Sequence, residues 1–141
     1  MTRITLAQAQ IIASATLAKG RELGLKPLSV AVLDAGGHLT AFLREDGSSN
    51  LRPQLAIGKA NGALALGLSS RKIAEMAAER PTFVASLHGL SEQGLVPAAG
   101  GVLIADASGT VIGAVGVTGD LSDNDEACAL AGIAAAGLAA L

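Results

Sequence analysis

Three cationic side chains have the chemistry to act on a ligand: His38, Arg44 and Lys59. An imidazole at the start of a strand can ligate a metal or haem iron, or move a proton near neutral pH. The competing reading is a surface histidine at a strand end. Arg44 and Lys59 can hold an anion such as a carboxylate or a propionate. Lys59 shares a helix face with Arg52, Ala56 and Ala63. There it either snorkels past small core residues or points into a pocket, where desolvation lowers its pKa. The expectation is one cavity lined by all three, with His38 as acid–base group or ligand and Arg44 and Lys59 as anion binders.

Other chemistry-bearing residues read more plainly. His88 ends a short helix before Gly89, where a cation suits the helix dipole. Gly36-Gly37 and Gly100-Gly101 let a ligand approach bare backbone. Asp120, Asp123, Asp125 and Glu126 gather at the start of the last helix, where Ser122 with Asp125 resembles a capping box. Calcium-loop spacing is not matched, and no metal is assigned. Neither GxGxxG, P-loop, CxxC, HExxH nor GxSxG is present.

The elements that must position these residues follow from periodicity and turn signals. Thr5 with Gln8 makes a capping box for a first helix that stops at Gly24. Val30 to Leu33 is an apolar strand, Asp34-Ala35-Gly36-Gly37 a turn, and His38 to Arg44 a return strand. Alternation puts Leu39, Ala41 and Leu43 on one face, and His38, Thr40, Phe42 and Arg44 on the other. A second helix starts near Pro53 and runs to about Leu66; a third is capped by Ser69 or Ser70; Pro81 opens a short fourth. Ser91 to Pro97 reads as a loop with a short strand near Leu95-Val96. Gly100-Gly101 precedes a strand over 102–105, Asp106-Ala107-Ser108-Gly109 repeats the turn recipe, and Thr110 to Thr118 returns. A last helix runs from about Asp123 to the end. The two hairpins, 72 residues apart, imply antiparallel pairing, hence an α+β domain spanning residues 1–141.

Composition bounds the function. At 141 residues, with half of them hydrophobic and 16% charged, the chain forms one ordered core. Phe42 and Phe83 are the only aromatics, which removes a stacking platform for nucleic acid. All ten basic residues fall before residue 81, and six acids follow without a Lys or Arg. That split argues against a duplex-binding stripe. Cys128 stands alone and reads as a small buried hydrophobe. The uncharged run 127–141 is too short and too weakly apolar for a bilayer, and the N-terminus reads as a helix rather than an export signal. The expectation is a cytoplasmic protein without membrane or nucleic-acid partners. A terminal helix without charge on any face also predicts a homo-oligomer, with Gly132, Ala136 and Ala140 as a flat packing ridge.

Val30-Ala31-Val32-Leu33-Asp34-Ala35-Gly36-Gly37-His38-Leu39, Arg44 with Asp46-Gly47, Lys59-Ala60, Gly100-Gly101-Val102, Ile112-Gly113-Ala114-Val115-Gly116-Val117-Thr118-Gly119 and Asp125-Glu126 together resemble the GlcG/HbpS family. That family includes the C-terminal domain of PduO-type corrinoid adenosyltransferases. The resemblance covers Thr5 to Leu141. It implies a profilin-like fold with one five-stranded antiparallel sheet, in the order α-β-β-α-α-β-β-β-α, and assembly into dimers, tetramers or octamers. It also implies haem or tetrapyrrole binding, as in some members, for which His38, Arg44, Gly36, Gly37, Gly100 and Gly101 are the candidate binding residues of this sequence. Where members often carry Lys-Ala-x-Thr-Ala, this chain has Lys59-Ala60-Asn61-Gly62-Ala63. An alternative is a cofactor-free isomerase, lyase or hydratase acting on a small carboxylate or carbonyl compound, with His38 as acid–base and Arg44 and Lys59 binding the anion. A third is an assembly module with no small ligand.

Overall fold

The hydrophobic strands pair into one antiparallel sheet that separates two helical layers. The computed structural model describes residues 3–141. Five helices, α1 (Leu6–Glu22), α2 (Arg52–Leu66), α3 (Ser70–Glu79), α4 (Pro81–Leu87) and α5 (Ser122–Ala135), surround strands β1 (Ser29–Asp34), β2 (Leu39–Arg44), β3 (Gly101–Ala105), β4 (Val111–Thr118) and β5 (Ala139–Ala140). The strand order is β2-β1-β4-β3-β5. Among the described residues no helix is long and apolar enough to cross a membrane.

The predicted α+β architecture and its capping box are present. Thr5 accepts from the Gln8 amide while the Gln8 side chain accepts from the Thr5 amide. On one face of the sheet α1 and α5 bury Ile12, Leu28, Val30, Val32, Val115, Val117 and Ile133. On the other, α2 lies directly on the strands. A Cβ at Gly116 would sit 1.9 Å from the Ala56 carbonyl oxygen, and one at Gly101 would sit 2.2 Å from that of Lys59. Those glycines let backbone meet backbone, which brings α2 close enough for its polar side chains to reach the end of the sheet.

Four local expectations change. The fifth strand is not at Leu95-Val96: Leu95 is buried in an irregular segment, packed with Ile73 and Val84. It is the chain end instead. The last helix stops at Ala135, Gly137 takes φ +71°, and Ala139–Ala140 pair with β3. The ridge of Gly132, Ala136 and Ala140 therefore does not exist as one helix face. Gly132 packs inside the subunit, where a Cβ would meet Thr16 Oγ1 at 2.3 Å. Finally, β2 does not alternate throughout. Ala41 opposes Val32 but Leu39 opposes Leu33, so a bulge intervenes and turns Leu39 to the face that Leu33 occupies.

Candidate functional site

The β1–β2 turn builds the most reactive-looking group on the surface. Asp34 Oδ1 accepts the backbone N–H groups of Gly36 at 2.9 Å and His38 at 3.0 Å, as turn aspartates do. The same oxygen lies 3.0 Å from His38 Nδ1. Gly36 leaves room for the imidazole, since a Cβ there would sit 2.8 Å from His38 Cε1. Burial raises the Asp34 carboxyl, but the backbone and ring hydrogen bonds from His38 and that from Gly36 outweigh it and hold it below its ordinary value. With Nδ1 against a carboxylate, the hydrogen-bond network puts a proton on Nδ1, so that in the neutral ring Nε2 is the nitrogen free to ligate. The ring is 78% exposed, so that nitrogen faces solvent.

A second segment is tied to this turn. Gln93 Nε2 donates to the Gly37 carbonyl at 2.8 Å, and Asn61 Nδ2 donates to Ser91 Oγ and to the Gly94 carbonyl, both at 2.8 Å. Asn61 occupies the variable position of the Lys-Ala-x-Thr-Ala pattern and clamps this loop; the departure from the pattern is its neighbour Gly62. The loop follows a single 3-10 turn, His88–Leu90, that carries exposed His88 and Leu90, the latter 83% exposed.

Lys59 is enclosed rather than pocket-lining. It is 3% exposed, and its Nζ donates to the Val117 carbonyl at 2.9 Å and to Asp125 Oδ2 at 3.3 Å. Burial pushes Lys59 down, against the pull of Asp125, and pushes the Asp125 carboxyl up. The pair reaches round the end of the sheet and joins α2 to α5. Gly100 and Gly101 are packed beneath it: a Cβ on Gly100 would lie 2.9 Å from Lys59 Nζ, and the Gly101 amide donates to Ser70 Oγ at 2.6 Å. These glycines serve close packing.

Arg44 ends β2 and donates to the Ser48 carbonyl. It borders an open cavity of about 420 Å3 with Arg21, Leu25, Pro27, Glu45 and Asp46, and that cavity contains neither His38 nor Lys59. His38 and Arg44 are separated by the length of β2, about 20 Å at strand rise. The three predicted residues therefore do not share one cavity. The acidic cluster is structural: Asp120 caps Leu121 and Asn124, Asp123 and Glu126 bind Arg71, and the N-cap is Leu121 rather than Ser122. Among the described residues no three His, Cys, Asp or Glu side chains converge on a metal. The buried Cys128 thiol is pushed up to about 11, first by burial and then by Asp125, and is no nucleophile.

Sequence reasoning missed the partner of each functional group. Asp34 appeared as a turn former and Asp125 as a helix cap. The four-residue spacing from Asp34 to His38 was the available signal for the first; none existed for the second.

Comparison with known proteins places this geometry. Residues 4–134 match the family described as haem degrading protein HbpS-like. An uncharacterised 15.0 kDa protein of Citrobacter freundii, from the dhaT–dhaS intergenic region, is 35% identical over 124 residues, covering 86% of this chain and 84% of that one. The crystal structure of HbpS superposes with a TM-score of 0.81 at 30% identity, over 95% of this chain and 90% of that one. Klebsiella pneumoniae ORFY gives 0.86 at 26%, over 97% and 92%. A PduOC:heme complex gives 0.86 at 21%, over 97% of each, and shares the fold. The chain belongs to the HbpS-like family.

Proposed function

We propose that this protein binds haem or a related tetrapyrrole, with His38 as the axial ligand. The observation that carries the reading is the Asp34–His38 pair, which engages Nδ1 and leaves Nε2 of an exposed ring as the nitrogen available to a ligand. A carboxylate behind an imidazole fixes its tautomer and raises its basicity as a ligand. Bound haem iron would supply redox or oxygen chemistry; the chain's own residues would orient and hold it. Leu39, half exposed beside His38, and Leu90, in the turn just before the tethered loop, offer apolar surface to a porphyrin face. Support also comes from the family's description and from the haem in the PduOC relative.

Haemin titration tests this. The parent gives a saturable Soret band, His38→Ala loses it, and Asp34→Asn weakens it. Equal binding by the double variant His38→Ala/His88→Ala overturns any histidine ligation.

The same protein assembles with copies of itself. On α1 the exposed residues from Leu6 to Ala18 are Leu6, Ala7, Gln10, Ile11, Ser14 and Ala18, all uncharged. From Ala127 onward α5 exposes Ala127, Leu130, Ala134 and Ala135. The two helices pack side by side, giving an uncharged outer layer of the kind that marks an interface. Light scattering should give a multiple of the subunit mass, lowered by Ile11→Glu with Leu130→Glu; a monomer mass for the parent refutes it.

A further inference from the structure

Ser29 opens β1 with a fully buried hydroxyl that has no hydrogen-bond partner. Such a group carries a desolvation cost that folding leaves unrecovered, and it asks for an explanation. Register places it between Arg44 on β2 and Thr118 on β4, each directly opposite it. Directly opposed residues share a face, with Cβ atoms about 4.5–5.5 Å apart. That face is the one under α2, because Gly116, two residues before Thr118, lies against the Ala56 carbonyl. One helical turn earlier, Arg52 Nη1 donates to Thr118 Oγ1 at 2.7 Å, and Arg52 Nε donates to Ser49 Oγ at 3.2 Å.

Register thus sets Arg44 opposite the orphaned Ser29 hydroxyl on one side, and on the other Arg52 holds Thr118, the residue opposite Ser29 on β4. Among the described residues neither Arg44 nor Arg52 forms an ion pair. Arg52 also adds its charge to that of Lys59 and opposes it. The nearby acids do not answer this excess. Glu45 is held by Arg21 and by the Leu28 amide, while Asp46 lines the outer cavity without pairing to Arg44. Arg44 spends one donor on the neutral Ser48 carbonyl. A carboxylate is the stronger acceptor and would displace it.

We propose that Arg44, Arg52, Ser29 and Thr118 form a binding site for the carboxylate of a small organic acid. The planar forks match a planar carboxylate, Ser29 donates its O–H to it, and Thr118 holds Arg52 in place. The site lies at the opposite end of the sheet from His38 and does not depend on haem.

Calorimetric titration with sodium succinate at constant ionic strength tests it, with inorganic phosphate as the second probe. Saturable succinate binding is expected. Arg44→Gln and Arg52→Gln should each weaken it about tenfold or more, the size of a lost charge-assisted bond. Arg44→Lys and Arg52→Lys keep charge and fold but restore only part. Ser29→Ala should weaken binding roughly fivefold while leaving the melting temperature unchanged or raised, since it removes an unsatisfied hydroxyl. Arg21→Ala, in the neighbouring open cavity, and His38→Ala should bind succinate as the parent does. Failure of succinate to bind, tighter binding of phosphate, or binding lost with Arg21 but kept without Arg52 each overturns the proposal. Because His38→Ala separates the two ligands, failure here leaves the haem titration intact.

Discussion

The two hairpin turns use the same device, and only one of them carries chemistry. In the first, Asp34 Oδ1 accepts the amides of Gly36 and His38; in the second, Asp106 Oδ1 accepts those of Ser108 and Thr110, at 3.0 Å each. Both turns close on a left-handed glycine, Gly37 at φ +82° and Gly109 at φ +83°. Both hairpins carry a register shift just before the turn, at Val32/Leu33 and at Ile104/Ala105. The difference lies four residues after the aspartate. Thr110 only shares a hydroxyl contact with Ser108 Oγ, whereas His38 brings an imidazole onto the carboxylate. The second turn shows that the scaffold stands without a histidine, so His38 is an addition to the turn and not a requirement of it.

The comparison can be broken most strongly at the glycines. Valine at either position must adopt a positive φ that a β-branched residue resists, at a cost of about 1–3 kcal/mol. Gly37→Val should cost more than Gly109→Val, because a Cβ at Gly37 meets Gln93 Nε2 at 3.2 Å and one at Gly109 meets nothing within 4 Å. Urea midpoints of the two variants check the order; equal loss would mean that the Gln93 tether contributes nothing.

Acid should weaken both turns. Asp34 and Asp106 each sit below the ordinary aspartate value: in Asp34 burial is outweighed by the His38 and Gly36 hydrogen bonds, and Asp106 is lowered first by the Ser108 hydroxyl and then by the Thr110 amide. A folded-state pKa below the unfolded one means that the unfolded chain binds more protons. The stability from these groups is therefore complete above the unfolded value and is lost as pH falls through the folded one. Asp34→Asn and Asp106→Asn keep an acceptor for the turn. Each should flatten the fall in urea midpoint between about pH 5 and pH 2. An unchanged acid limb in the double variant would assign the loss to other carboxylates, Asp120 first, which sits at about 2 because Asn124 and the Lys26 and Leu121 amides bind it.

The smallest structural effect is expected from copying one turn onto the other. His38→Thr reproduces the second turn in the first, and the side chain it removes is largely exposed. Its thermal melt should stay within about 0.5 kcal/mol of the parent. A larger loss would show that the imidazole supports the hairpin as well as a ligand.

The turns were legible in sequence because their signals are local: an aspartate, a glycine and an offset of two or four residues. The capping box of Thr5 and Gln8 was legible for the same reason, and the family pattern delivered the sheet. What was not legible depends on register and distance along the chain. Ser29, Arg44 and Thr118 align only once β1 has paired on both sides. Lys59 finds Asp125 only after α2 has settled on the glycines of β3 and β4. The face of Leu39 hung on a bulge that composition does not announce. The short β5 carries no strand signal beyond two alanines, and Gly137, just past the end of α5, sat in an Ala-rich run that read as one continuous helix.

That short strand has a bearing on aggregation. Every residue of β3 is buried, and among the described residues its outer edge is paired by Ala139–Ala140 and by the Leu141 amide on the Leu103 carbonyl at 3.1 Å. The opposite edge of the sheet is already irregular through the bulge in β2, which discourages strand addition. Proteolytic trimming of the last three residues would leave an apolar strand with unpaired backbone at the surface, a template for adding another chain. Three residues, two of them alanines, thus act as the selvedge of the sheet, keeping its most adhesive edge from extending into a neighbour.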